Sequence, residues 1–273
     1  MGRTPLLELS STLKTEFKLY AKLEYLNPSG SIKDRPVYNI LKSIDRKPQE
    51  IVEASSGNTA IALALWGKVS GIKVTVVLPK DASSERKKML RLLGARIVEV
   101  DRNSEDEIMV AERIAKERGA FYLGQFSRRE NPEAYRPLAE ELSRLGLDYF
   151  VAGVGTGGTL MGVAKYLKPR GVKVVAVLPK EEDHGIYGLR KSPRSEFWEE
   201  RLVDEYYHVS TREARRYMRK LWGLGFLVGR SSGANLRAAL YYARRGNVAT
   251  VFPDSWDRYL SLELGDQKHL KKS

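Results

Sequence analysis

A single lysine stands directly after a run of turn-forming residues near the start of the chain. Residues 27–31 (NPSGS) lead to Lys33, and an apolar pattern begins at Pro36. This order predicts a tight turn followed by a helix that begins close to Lys33. The positive end of a helix dipole disfavours a second cation, which would lower the pKa of this amine. Such a lysine can form a Schiff base, whereas most lysines are solvated surface residues, so other stretches must decide.

Three further loops combine glycine with hydroxyl or amide side chains. They are the serine–asparagine loop, residues 55–59 (SSGNT), the glycine loop, residues 155–159 (GTGGT), and residues 229–235 (GRSSGAN). The glycine loop follows an apolar strand and precedes a predicted helix. Its backbone N–H groups and the helix N-terminus suit a phosphate, with the hydroxyls of Thr156 and Thr159 as additional donors. Taken alone, the serine–asparagine loop is typical of an ordinary helix N-cap.

In this order, the lysine turn and the three loops resemble the fold-type II pyridoxal phosphate (PLP) enzymes. Within them the chain is most similar to the cysteine synthase branch, including cysteine synthase B and O-phosphoserine sulfhydrylases. The resemblance extends from Thr4 to Ser261 and includes residues 254–261 (DSWDRYLS). It implies a tryptophan synthase β-like α/β fold, with two domains of open, twisted, mostly parallel sheets flanked by helices. The alternation of predicted strands and helices indicates the same class.

We expect two domains because residues 125–131 are polar and turn-like. The first is an N-terminal α/β domain over residues 1–127, whose early strands at about 5–26 are candidates for crossing into the other domain. The second, residues 128–273, is the C-terminal α/β domain with the PLP-phosphate site. The apolar periodicity predicts helices over residues 36–44, 132–145 and 234–243, and a long loop over residues 181–197.

The resemblance assigns a role to each loop. Lys33 binds PLP as a Schiff base and serves as the catalytic base. The phosphate is bound by Gly155, Thr156, Gly157, Gly158 and Thr159, the ring hydroxyl by Asn58, and the pyridine nitrogen by Ser231. The substrate carboxylate is bound by Ser55, Ser56, Gly57, Thr59 and Gln125. In residues 184–190 (HGIYGLR), Arg190 either binds a phosphate leaving group over the active site or is a solvated loop arginine.

A dinucleotide site is the competing interpretation of the glycine loop. Residues 153–158 (GVGTGG) match the G-x-G-x-x-G pattern after a strand. That pattern requires an acidic residue about 20 positions later, at the end of the next strand. Residues 177–180 read VLPK there, and Glu181 lies only in the loop beyond. A dinucleotide would also leave Lys33 without a role, so the sequence favours the phosphate of PLP.

The resemblance implies a PLP-dependent lyase or transferase of the cysteine synthase type. The reaction is β-replacement on an activated L-serine, O-phosphoserine or O-acetylserine, through an aminoacrylate intermediate, with a sulfur donor giving L-cysteine. Because the Ser231 hydroxyl does not hold a proton on the pyridine nitrogen, the ring is a weaker electron sink, which favours loss of a β leaving group. A serine/threonine dehydratase, a cystathionine β-synthase and a non-catalytic PLP- or amino-acid-binding regulatory protein remain as alternatives.

The charge pattern bears on the partners of the protein. The formal net charge is +13 and the pI about 9.7, but 34 acidic residues interleave with the basic ones. This mixture favours an electropositive surface that attracts anionic substrates over a nucleic-acid partner. A charged fraction of 30% with only Gln49, Gln125 and Gln267 as glutamines is typical of a thermophile. A homodimer is what the family implies.

The chain has no cysteine, which excludes disulfides, thiolate metal sites and a cysteine nucleophile. We expect no metal in the site. We find no N-terminal apolar run long enough for a signal peptide and no apolar segment of about 18 residues. We therefore expect a cytoplasmic protein with no membrane partner.

Overall fold

A computed structural model describes residues 2–101 and 106–263 of the protein. The chain divides into two compact units, each discontinuous in sequence. The first unit combines Met1–Asp45 with Gly124–Asp254, and the second combines Arg46–Leu123 with Ser255–Ser273.

The described residues form the following elements in chain order. The strands are β1 Leu6–Glu8, β2 Leu19–Lys22, β3 Glu50–Ala54, β4 Lys73–Pro79, β5 Arg96–Val100, β6 Phe121–Tyr122, β7 Tyr149–Gly153, β8 Lys173–Pro179, β9 Glu205–Val209 and β10 Val248–Val251. The helices are α1 Ser10–Leu13, α2 Asp34–Lys42, α3 Asn58–Ser70, α4 Ser84–Leu92, α5 Glu107–Arg118, α6 Glu130–Glu133, α7 Arg136–Leu142, α8 Gly158–Leu167, α9 Thr211–Gly223 and α10 Arg230–Tyr242.

Each unit combines segments from both halves of the chain. Strand β2 pairs in parallel with β10, and β1 pairs antiparallel with β2, so the first 45 residues belong with the C-terminal half. The last described residues, 255–263, belong instead with residues 46–123. Long-range pairing of this kind leaves no local pattern in a sequence.

The first unit contains a six-stranded sheet in the order β1-β2-β10-β7-β8-β9. Alternate residues of β7 face opposite sides of this sheet. Phe150 and Ala152 join an apolar cluster that contains Leu160 of α8, whereas Val151 joins another cluster that contains Ala234 of α10. Helices therefore cover both faces, which explains why the central strands are almost entirely apolar.

The second unit contains a four-stranded, all-parallel sheet in the order β5-β4-β3-β6. Val52 and Ala54 of β3 pack with Val110 and Ile114 of α5 in one apolar cluster. The predicted α/β class, with mostly parallel sheets flanked by helices, is confirmed in both units. Among the helices of residues 2–101 and 106–263, none is long and apolar enough to cross a membrane.

Several predicted boundaries differ from the structure. The helix expected over residues 132–145 is two helices, α6 and α7, and Pro137 stands in the first turn of α7, a position typical of a helix start. Helix α10 begins at Arg230, so Ser231 lies in its first turn. Strand β9 was not predicted; it is an edge strand with the sequence EYYHV, in which polar and aromatic residues prevail. Residues 181–197 contain no helix or strand, as predicted.

Candidate active site

Lys33 is the N-cap of α2, as the turn-forming run predicted. The turn is fixed by Asp34, whose Oδ2 accepts hydrogen bonds from the backbone N–H of Ser29 at 2.9 Å and from its hydroxyl at 2.7 Å. The Ser31 hydroxyl accepts a bond from the Lys33 backbone N–H at 3.3 Å. Asp34 is fully buried, so these bonds are sheltered from water. The turn presents the Lys33 amine from a rigid base.

A buried ion pair anchors the first turn of α2. Arg35 donates from Nε and Nη2 to the two carboxylate oxygens of Glu24, at 2.8 and 2.7 Å. Thr4 and Asn27 donate to the same carboxylate at 2.9 and 2.8 Å. Glu24 is 0% and Arg35 3% exposed. With both partners hydrogen-bonded, the pair is stable, but removing one of them would cost about 3–5 kcal/mol.

The Lys33 amine has an unusual acidity. Burial is the largest cause and lowers the pKa of Lys33 to about 8; Asp254 raises this pKa, and the positive charge of Arg190 lowers it. Burial depends on tertiary packing, so the sequence did not reveal this cause. Among the residues that the structure describes, none forms an ion pair with the ammonium group. At neutral pH about a tenth of such an amine is unprotonated and able to act as a nucleophile or base.

The glycine loop connects β7 to α8 and is closely packed at three glycines. A Cβ atom at Gly155 would lie 2.2 Å from the backbone oxygen of Gly188, and one at Gly158 would lie 2.0 Å from Oδ1 of Asn131. Gly157 is the N-cap of α8 with φ of +85°, a conformation that favours glycine. Side chains are therefore excluded here, which leaves the backbone N–H groups of the helix N-terminus accessible to a ligand.

A phosphate fits the surroundings of this loop. The first N–H groups of a helix have no partner within the helix and attract anions. The hydroxyl of Ser195 is buried, has no hydrogen-bond partner among the described residues, and lies 3.6 Å from the position of a Cβ at Gly157. A bound anion would satisfy this donor together with the helix N-terminus. Sequence reasoning missed Ser195 because it lies in the loop over residues 181–197, which has no periodic pattern.

Arg190 and Gln125 lie close to the glycine loop in the first unit. The backbone N–H of Arg190 donates to the carbonyl of Val154 at 2.7 Å, and its guanidinium stacks over Phe126 at 4.8 Å from the ring centroid. The carbonyl of Gln125 accepts a bond from Asn131 Nδ2 at 2.7 Å, and the same Nδ2 contacts the Thr156 hydroxyl at 3.3 Å. Because the charge of Arg190 acts on the Lys33 amine, Arg190 connects the glycine loop with the lysine turn.

Ser231 is connected to the lysine turn through the end of β10. Its hydroxyl donates to Oδ1 of Asp254 at 3.3 Å, and both side chains are buried. The backbone of Asp254 forms a β-bridge with Ser31, and the N–H of Ile32 donates to Pro253 at 2.8 Å. The first unit thus brings Lys33, Gln125, the glycine loop, Arg190 and Ser231 to neighbouring positions. Asp254 belongs to the motif of residues 254–261, but the sequence predicted no role for it.

The serine–asparagine loop lies in the second unit, between β3 and α3, with Gly57 as the N-cap of α3. The hydroxyl of Ser55 accepts a bond from the Gly57 N–H at 3.2 Å, within the loop itself. Arg258 donates to Oδ1 of Asn58 at 2.6 Å, and Arg86 donates to the carbonyl of Ser56 at 3.3 Å. Ser56 is partly exposed and Thr59 is buried. The sequence did not predict either arginine as a support.

Comparison with known proteins gives a consistent result. The model of the family described as "Pyridoxal-phosphate dependent enzyme" matches residues 1–254. The chain is 33% identical to a cysteine synthase of Aquifex aeolicus, over 98% of this chain and 91% of that protein. It is 35% identical to an O-acetylserine dependent cystathionine β-synthase of Bacillus subtilis, over 97% and 95%. The crystal structure of an O-ureido-L-serine synthase superposes with a TM-score of 0.88 at 30% identity, covering 97% and 93% of the two chains.

Proposed function

The chain belongs to the family of pyridoxal-phosphate-dependent enzymes, and we propose that it forms L-cysteine by β-replacement on an activated L-serine. The observation that carries this proposal is the Lys33 amine, which stands on a rigid turn with a pKa lowered to about 8. The similarity to cysteine synthases over nearly the whole chain supports the same reaction.

The residues predicted to bind the cofactor then have separate parts in that binding. We assign PLP to Lys33, its phosphate to the glycine loop, its pyridine nitrogen to Ser231 and its ring hydroxyl to Asn58. PLP supplies an aldehyde that condenses with amines and a ring that withdraws electrons from the substrate. The close packing of Gly155 supports the phosphate assignment, and so does the hydroxyl of Ser195, which is buried without a hydrogen-bond partner in the described part of the chain.

Lys33 is the group that moves the proton. With a pKa of about 8, its amine is basic enough to take the proton from the substrate α-carbon and acidic enough to return it. The burial of its surroundings keeps water away from that transfer. We assign the substrate carboxylate to Ser55, Ser56, Gly57, Thr59 and Gln125, whose hydroxyl, backbone N–H and amide groups are donors.

The substitution Lys33→Ala tests the proposal directly. We expect the purified variant to lose the visible absorbance of bound PLP and to lose turnover by more than about a thousandfold, because one amine both binds the cofactor and moves the proton. Absorbance spectra and cysteine formation from O-acetylserine or O-phosphoserine with sulfide are the measurements. A variant that stays coloured and active would remove Lys33 from the mechanism. A coloured wild-type protein without turnover would indicate a regulatory binding protein.

We propose that Arg190 selects the leaving group by binding its anionic portion. A guanidinium can bind a phosphate with two hydrogen bonds, whereas an acetyl ester offers only a neutral carbonyl. The test is the ratio of kcat/KM for O-phosphoserine to that for O-acetylserine. We expect Arg190→Ala to lower this ratio about tenfold or more, and Arg190→Lys, which keeps the charge, to lower it less. Equal losses with both substrates would exclude this role.

Homocysteine is a second candidate for the sulfur nucleophile, beside sulfide. The relative from Bacillus subtilis is named an O-acetylserine dependent cystathionine β-synthase, which favours homocysteine as an alternative to sulfide. Product analysis with both nucleophiles separates cysteine from cystathionine, and pyruvate from serine alone would indicate a dehydratase.

We further propose a cytoplasmic homodimer, as the family resemblance implies. Light scattering tests the oligomeric state, and cell fractionation tests the localisation.

A further inference from the structure

Arg258 is a buried arginine near the end of the second unit, and it has no role in the reaction described above. It lies in the 3₁₀ helix Trp256–Tyr259 and is 1% exposed. Its Nη1 donates to Oδ1 of Asn58, the first residue of α3, at 2.6 Å. Arginines are almost never this deeply buried unless they are paired. The bond to Asn58 is therefore a fixed feature of the second unit.

The segment that carries Arg258 is anchored on α4 at two points. The guanidinium of Arg86 stacks over the ring of Tyr259, 5.1 Å from its centroid, and Tyr259 is buried. The backbone N–H of Ser261 donates to Oε1 of Glu85 at 2.7 Å. Because both contacts involve close neighbours of Arg258 in the sequence, its guanidinium is presented to the start of α3 from a fixed base.

The bond determines which end of the Asn58 amide faces Arg258. A guanidinium has only N–H donors, so the amide atom that it contacts must be the oxygen. The amide is planar, and its oxygen and its NH₂ group lie on opposite sides of Cγ. With the oxygen held by Arg258, the NH₂ group faces the other way and presents donors there. Without Arg258 the amide could turn over, because this side-chain torsion is broad and roughly two-fold.

We propose that Arg258 is a positioning residue that orients Asn58, so that its amide meets the ring oxygen of PLP with an N–H donor. The inference rests on the proposed function, from which it takes the placement of Asn58 at that oxygen. A donor stabilises the ring oxygen without its proton, whereas an amide oxygen in the same place would stabilise the protonated hydroxyl. Arg258 thus acts through Asn58 on the protonation of the ring oxygen.

The test is the absorbance spectrum of PLP bound to the protein at saturating cofactor. The lysine adduct of PLP absorbs in the visible when its shared proton lies on the lysine nitrogen, and in the near ultraviolet when that proton lies on the ring oxygen. We expect the wild type to absorb mainly in the visible. Arg258→Met is expected to lower the ratio of the visible to the near-ultraviolet band about tenfold, equivalent to about one pKa unit. Arg258→Lys, which keeps a group with donors only, should restore part of this ratio.

Two further variants separate orientation of the amide from stability of the fold. Asn58→Asp keeps an oxygen for Arg258 but has no N–H, so the ring oxygen meets an acceptor in either orientation, and the band ratio should fall about tenfold. In a protein that already carries Asn58→Ala, Arg258→Met should change the ratio no further. Arg118→Met is the matched control: Arg118 donates to Glu50 at 3.1 Å elsewhere in the second unit, so its loss should leave the ratio unchanged.

The outcomes separate this inference from the proposed function. A wild-type protein that binds PLP through Lys33 but absorbs mainly in the near ultraviolet overturns the role of Arg258 and leaves the proposed function standing, and so does an unchanged ratio in Arg258→Met. A wild-type protein that binds no PLP overturns both. If Arg258→Met does not fold, Asn58→Asp decides: a lost visible band supports the inference, and an unchanged ratio overturns it. An equal loss in Arg118→Met would assign the effect to general loosening of the second unit and overturn the inference.

Discussion

The glycine loop and the serine–asparagine loop have the same local design but are stabilised in different ways. Each follows a parallel strand and opens a helix with glycine at the N-cap. At Gly155 a Cβ would lie 2.2 Å from a backbone oxygen, whereas at Gly57 no atom of residues 2–101 and 106–263 would lie within 4 Å of a Cβ. The second loop is supported instead by Arg86 and Arg258, which lie outside it in sequence. The glycine loop packs closely because its glycines have no side chains. The serine–asparagine loop is held by hydrogen bonds from the side chains of two arginines.

The largest effect should follow from adding a methyl group to the glycine loop. In Gly155→Ala the new Cβ meets the carbonyl of Gly188, a backbone atom that cannot rotate away. We expect a loss of PLP affinity of at least about a hundredfold and a decrease of about 1–3 kcal/mol in the free energy of unfolding. PLP titration by absorbance and urea unfolding of the cofactor-free protein are the measurements. Near wild-type affinity would show that the close packing is not needed.

The next effect tests the supports of the other loop. Arg258→Met removes the donor that bonds Asn58 at 2.6 Å, and a hydrogen bond from a charged group contributes about 1.5–3 kcal/mol. We expect the free energy of unfolding to fall by that amount. Arg86→Met is the matched control, because Arg86 bonds the same loop at Ser56 over a longer 3.3 Å and should cost less. If neither substitution lowers the free energy of unfolding, the two arginines do not stabilise the serine–asparagine loop.

Charge gives a further distinction, since Arg86 and Arg258 of the second unit donate hydrogen bonds to their loop, whereas Lys33 of the first unit is a buried amine with a lowered pKa. The pKa of Lys33 is about 8 in the folded protein and 10.5 as the ordinary value. Between these pH values the unfolded chain binds more protons, so stability rises with pH in that window, and below it Lys33 destabilises the fold. Lys33→Met should therefore stabilise the cofactor-free protein at neutral pH, on the order of 1–3 kcal/mol.

Urea unfolding at neutral pH and at about pH 10 measures the stability difference between Lys33→Met and the wild type, which should shrink as the pH rises through the window.

The substitution Arg190→Ala provides a second measurement. Because the charge of Arg190 lowers the pKa of Lys33, its removal should move the midpoint of amine labelling at Lys33 to higher pH. A midpoint that stays in place, or a stability difference that grows with pH, would contradict this account of the amine.

The smallest effect is expected for Gly57→Ala. The site is open, and the φ of −127° is accessible to alanine. We expect a change of less than about 0.5 kcal/mol in stability and at most a few-fold change in PLP affinity, measured as for Gly155→Ala. If the two alanine substitutions were equally damaging, the difference between the loops would lie in the ligand contacts rather than in packing.

The sequence predicted those features of the candidate site that involve residues adjacent in the chain, and missed contacts between residues far apart in the chain. Glycine and hydroxyl residues next to a strand end identify a loop by themselves, which is why the glycine loop and the turn at Lys33 were found. Arg258 could not be found, because its partner Asn58 is 200 residues away in the chain. Ser195 was missed in a loop without periodicity, and the burial of Lys33 depends on packing that only a folded chain has.

The fold class followed from alternating strands and helices, but the assignment of segments to units did not. Strand β2 joins the C-terminal half through pairing with β10, more than two hundred residues later. Hydrophobic periodicity identifies a strand but not its neighbour, so the sequence could name residues 5–26 as candidates for crossing into the other domain but not the strand with which they pair.

The alternation of segments from the two units along the sequence has a consequence for synthesis on the ribosome. The four strands of the second unit are complete once residue 122 has been made, whereas the six-stranded sheet waits for β10 at residues 248–251. A chain released early would carry Lys33 on an unfinished scaffold, and the arginine that supports Asn58 is made later still. Because domains fold as units during translation, the sheet beside the Lys33 turn is completed only after residues 248–251 have been made.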